Sequence, residues 1–62
     1  MEIKRSTLTV GEVAEYLGLS KDMIYKMTRE KAIPHIRIGR RLVFKLDSIE
    51  KWLSEKEERI YE

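Results

Sequence analysis

Between Ser20 and Lys45 the chain sets eight basic side chains, Lys21, Lys26, Arg29, Lys31, Arg37, Arg40, Arg41 and Lys45, against two acidic ones, Asp22 and Glu30. A local surplus of this kind is suited to holding a polyanion, by Coulomb attraction and by N–H donation to charged oxygens. From Leu46 to Glu62 the sign reverses, with three basic residues facing six acidic ones. The overall charge of +2 therefore conceals a polarised chain with a basic middle and an acidic tail.

Bond-making chemistry finds no comparable support. His35 is the only histidine, cysteine is absent, and no close pair of carboxylates is spaced to share a metal ion with it. Ser20 has no histidine base placed near it by a recognisable motif, so a helix-capping role accounts for it. No glycine-rich phosphate loop occurs. No catalytic residue, cofactor or metal is expected, and the chain is not read as an enzyme.

A chain of 62 residues makes one domain, and a domain of this size buries only roughly 60% of its unfolded surface, leaving no room for an enclosed cleft. Without cysteine, neither disulfides nor a cysteine metal site staples it. No apolar run of about 18 residues or signal-peptide pattern is found, which predicts a soluble, cytoplasmic protein with no membrane partner. Nothing suggests a pocket for a small-molecule effector.

The basic residues need elements to aim them, and the clearest lie in Thr9 to Arg29. Thr9 with Glu12 three residues later forms a capping box, which starts a helix. Val13, Ala14 and Leu17 give it an apolar stripe, and Gly18 can end it in the left-handed conformation. Ser20 caps a second helix, Asp22 complements its dipole, and Ile24, Met27 and Thr28 form its buried side. Asp22, Tyr25, Lys26 and Arg29 share another side. In isolation that side reads as a solvated face with an Asp22–Lys26 pair. After a tight turn between two steeply crossing helices, the same face is the one that enters a DNA major groove.

Pro34 ends the second helix, and the period then changes from 3.6 to 2. His35 to Ile38 and Leu42 to Phe44 alternate around Gly39-Arg40-Arg41, which predicts a hairpin. A two-residue turn would pair Ile36 with Val43 and strand Leu42 and Phe44 on the opposite face. A three-residue loop pairs Ile38 with Leu42 and Ile36 with Phe44, giving one apolar face, and is the expected register. Arg40 and Arg41 at its tip, with Arg37 and Lys45, form a basic finger suited to nucleic acid. The same charges would also guard an exposed sheet edge.

Leu46, Ile49, Trp52 and Leu53 predict a third helix, with Trp52 as the largest piece of the core. Met1 to Leu8 has no period and reads as an arm in which Leu8 could staple the first helix; Lys4 and Arg5 could touch a polyanion, but a frayed terminus whose charges only solvate it suits them better. Beyond Leu53 the charged tail holds Ile60 and Tyr61 as its apolar residues, and Leu46, Leu53 and Ile60 stand seven apart. That spacing permits a short dimerising coil, but a frayed tail suits so few heptads better. The expected organisation is an arm at 1–8, a domain at 9–53 and a charged extension at 54–62. The fold class is mainly α with a small β-hairpin, with helices at about 10–17, 21–31 and 46–56 and strands at about 35–38 and 42–44.

From Leu8 to Leu53 the sequence resembles the excisionase-type helix-turn-helix domain, a winged helix related to the DNA-binding domain of the MerR regulators. The likeness rests on Glu12-Val13-Ala14, Leu17-Gly18-Leu19-Ser20, Tyr25, Ile36-Arg37-Ile38-Gly39-Arg40-Arg41 and Trp52-Leu53. It implies that Ser20 and Tyr25 contact phosphate, that Lys21, Lys26 and Arg29 face the major groove, and that Arg40 and Arg41 reach the adjoining minor groove or its backbone. Asp22 and Met23 stand where many relatives carry Arg, Thr or Ser, and Ala32 stands where glycine is usual. Asp22 could accept from a cytosine amino group.

Taken together, the residues and the resemblance predict a winged helix-turn-helix protein that binds double-stranded DNA through Ser20, Lys21, Asp22, Tyr25, Lys26, Arg29, Arg37, Arg40, Arg41 and Lys45. The implied setting is prokaryotic, phage or mobile-element, and the implied role is an accessory factor of site-specific recombination or a DNA-architectural protein. A small transcriptional regulator is the alternative, and an adaptor that kept the fold without DNA binding is a third. Partners that would add specificity are a recombinase or further copies side by side on the duplex.

Overall fold

The computed structural model describes residues 6–57. The readings placed on Lys4, Arg5, Ile60 and Tyr61 lie outside the described residues. In chain order the elements are β1 (Thr7–Leu8), α1 (Val10–Leu17), α2 (Lys21–Arg29), β2 (Ile36–Ile38), β3 (Arg41–Lys45) and α3 (Leu46–Lys56).

Helix α1 starts at the predicted capping box. Thr9 Oγ1 accepts from the Glu12 amide at 3.2 Å, and Glu12 Oε1 accepts from the Thr9 amide at 2.9 Å. Its end is closed by Gly18 at φ 71°, with the Leu19 amide donating to Ala14 at 2.9 Å and the Gly18 amide to Glu15 at 3.2 Å. Such a closure satisfies carbonyls that the last turn leaves unpaired.

Helix α2 begins where Ser20 Oγ accepts from the Met23 amide at 3.1 Å. It ends at Arg29, short of the expected Lys31, in the same kind of closure. The Ala32 amide donates to Met27 at 2.8 Å and the Lys31 amide to Thr28 at 3.1 Å. Here Lys31, at φ 55°, takes the left-handed position that Gly18 holds in α1.

The three strands form one antiparallel sheet in the order β1-β3-β2. Strand β1 arises from the segment read as an arm: Thr7 pairs with Lys45 and Leu8 with Phe44. The Ser6 carbonyl accepts from the Leu46 amide at 3.0 Å, so this segment also meets the start of α3.

The hairpin register differs from the expected one. Ile36 pairs with Val43, Arg37 with Leu42 and Ile38 with Arg41, around a two-residue Gly39-Arg40 turn. Gly39 has φ 60° and Arg40 has a negative φ, which matches a turn with glycine at its first central position. The three-residue loop was expected on the premise that both strands share one apolar face. Instead only β3 lies centrally in the sheet, and it sends Phe44 into the core while β2 remains exposed along its length.

The core consists of Val10, Val13, Ala14, Ile24, Ile33, Phe44 and Ile49, with Leu8, Leu17, Met27, Leu42 and Trp52 packed against it. Phe44, not Trp52, is its largest fully buried side chain. Trp52 sits half-buried at the margin because its indole N–H needs an acceptor, which it finds in the Ala32 carbonyl at 3.0 Å. Leu53, on the same predicted stripe, is exposed. Thr28 is buried, and its hydroxyl donates to the Tyr25 carbonyl at 2.7 Å.

Candidate nucleic-acid interface

On α2, Lys21, Tyr25 and Arg29 follow one another at four-residue intervals, so they form a single stripe along the helix. Ile24 and Thr28 turn into the core and hold this helix in place. The stripe faces the hairpin across a concave recess of about 500 Å³, lined by Lys21, Tyr25, Thr28 and Arg29 of α2 and by Arg37, Arg40, Arg41 and Leu42 of the hairpin. Thr9, Val10 and Gly11 at the start of α1 complete the lining.

No acidic residue lines the recess. Five of its lining residues, Lys21, Arg29, Arg37, Arg40 and Arg41, are cations and are exposed to solvent. The first turn of α1 adds the positive end of a helix dipole, because its amides lack intrahelical acceptors. Gly11 also allows close approach: a Cβ built there would lie 3.3 Å from Lys21 Cε and 3.7 Å from its Nζ. Lys21 is thereby laid against the α1 terminus.

The remaining predicted site residues stand elsewhere. Asp22 and Lys26 are exposed on α2 but lie further round the helix, away from the recess. Ser20 is exposed and serves as the α2 cap. Lys45 pairs with Thr7 at the far end of β3 from the hairpin turn. Sequence reasoning missed the contribution of Thr9, Val10 and Gly11; they carry no charge, and only the capping box marked their position.

His35 is not among the lining residues of the recess; its Nδ1 donates to the Ile33 carbonyl at 2.8 Å. Among the described residues no group of His, Cys, Asp or Glu is placed to hold a metal ion. None of the described helices is long and apolar enough to cross a membrane.

Two helices joined at Gly18, a third helix and a hairpin wing together constitute a winged helix-turn-helix. Residues 7–57 match a family model described as a helix-turn-helix domain, and the chain belongs to that family as an excisionase-type member. It is thus a DNA-binding helix-turn-helix protein. No curated protein and no solved structure matches it.

Proposed function

We propose that the chain binds duplex DNA with the Lys21-Tyr25-Arg29 stripe of α2 in the major groove and the Arg37-Arg40-Arg41 wing against the adjoining backbone or minor groove. The observation that carries this reading is the convergence of those residues on one recess with no acidic residue in its lining. Ser20, next to Lys21, and Lys26 add contacts at the margins, with Asp22 available to a cytosine amino group. Lys45 adds positive charge farther along the hairpin. Phosphate contacts dominate the affinity, so binding falls steeply with salt.

The biological role we assign is that of an accessory factor of site-specific recombination, or a closely related DNA-architectural protein, acting in the cytoplasm of a prokaryotic host. Its excisionase-type membership supports this role. One small domain covers a short site, so specificity comes from neighbouring copies or a recombinase on the same duplex.

The test selects bound duplexes from a random pool, then measures their salt slope and their bending by the full chain. Bent, salt-sensitive complexes that lose affinity in Arg40→Ala plus Arg41→Ala support the proposal. Unbent complexes confined to promoter sequences would replace the recombination role with transcriptional control. No retention of any duplex at low salt would leave an adaptor that kept only the fold.

A further inference from the structure

On one side of the wing only Arg41, beside the turn, reaches the recess. Because Ile36 pairs with Val43 and Ile38 with Arg41, these four side chains stand on the same side of the sheet, followed by Lys45 and Thr7. Phe44 points the opposite way into the core and is fully buried. Ile36 is 43% exposed and Ile38 is 62% exposed. A hollow of about 370 Å³ adjoins Ile38, bordered also by Thr7, Leu8, Thr9, Arg41 and Val43.

Strand β2 is also an edge of the sheet. Across a two-residue hairpin, the pairs Ile38–Arg41 and Ile36–Val43 exchange ladder bonds. The N–H and C=O of Arg37 are therefore directed away from β3. The edge presents, in order, an apolar side chain, a cation with a backbone donor and acceptor, and a second apolar side chain.

These features select among occupants. All four charged residues of the hairpin, Arg37, Arg40, Arg41 and Lys45, are positive. A second copy pairing β2 with β2 about its centre would set Arg37 opposite Arg37, a like-charge pair that destabilises a ladder. A duplex offers no strand to the free backbone of Arg37. An extended chain with acidic residues between apolar ones satisfies both the backbone and the charge.

We propose that the β2 edge accepts an extended segment of a partner protein as a fourth strand, reading apolar, acidic, apolar opposite Ile36, Arg37 and Ile38. This does not depend on the duplex reading: Ile36 and Ile38 lie outside the recess, although Arg37 lines it.

The full ¹⁵N-labelled chain is titrated with a capped peptide, Ser-Glu-Val-Glu-Val-Glu-Ser, and with a control carrying Lys for each Glu. The expected result is amide shifts centred on Ile36, Arg37 and Ile38 with the acidic peptide and none with the control. Ile36→Thr plus Ile38→Thr keeps strand-forming residues on an exposed strand, so it retains the folded spectrum and weakens the peptide by at least about tenfold. Absence of shifts at millimolar peptide overturns the proposal, as do shifts centred elsewhere or an equal response to the control. Concentration-dependent shifts at Ile36 and Ile38 without peptide would assign the edge to a second copy. Shifts at Ile36 and Ile38 on adding a mixed-sequence duplex would assign it to DNA.

Discussion

Trp52 Nε1 donates to the Ala32 carbonyl at 3.0 Å, joining α3 to the loop that leads from α2 into the wing. This bond ties down the chain just after it leaves α2. Ala32 is exposed, so water can take over its carbonyl if the indole is lost. Trp52→Phe is therefore expected to lower unfolding stability by only about 1 kcal/mol, seen as a lower urea midpoint at an unchanged slope.

Lys31 adopts φ 55°, a conformation that strains a residue with a Cβ and costs glycine nothing. Lys31→Gly should stabilise the domain by about 1 kcal/mol and raise the calorimetric Tm by about 4–8 °C. Lys31→Ala provides the control, because it removes the charge and keeps the strain. An equal gain in both variants would refute the backbone explanation.

Gly39 has φ 60° and nothing within 4 Å of where a Cβ would stand. The cost of Gly39→Ala is thus one of conformation alone, and a loss of about 1–2 kcal/mol is expected in chemical denaturation. A neutral result would mean that the turn relaxes to another type.

Arg40 and Arg41 stand at the hairpin tip and line the recess. Replacing both by Ala should weaken every duplex to a similar degree and reduce the slope of log affinity against log salt by about two, as two lost phosphate contacts require. Arg29→Ala should cost more than Lys26→Ala, since only Arg29 borders the recess. Mobility shifts at several salt concentrations measure both effects.

Much of the scaffold was legible because its signals are local. The Thr9–Glu12 capping box, the Gly18 closure and the Ser20 cap lie within a few residues of the helices they bound, and each forms as predicted. Strand β1 was not legible: two residues set no period, and its partners Phe44 and Lys45 lie far along the chain. The hairpin register was misread because Ile36 and Ile38 were assumed to seek burial, when an edge strand can leave them in solvent. The cations of the recess were named from the sequence, yet their partition was not. Lys21, Tyr25 and Arg29 separate from Asp22 and Lys26 only once the hairpin shows which side of α2 it faces.

The Ser6–Leu46 hydrogen bond has a kinetic meaning. The two-helix unit and the hairpin each close over short stretches of chain, whereas this bond and the β1–β3 pairing close a loop that contains α1, α2 and the hairpin. Loop closure of that length carries the larger entropic barrier, so the terminal strand zips on last and opens first. Amide exchange at Leu46 should accordingly outpace that at Phe44's neighbours in the hairpin, making β1 the latch of a domain whose interior has already assembled.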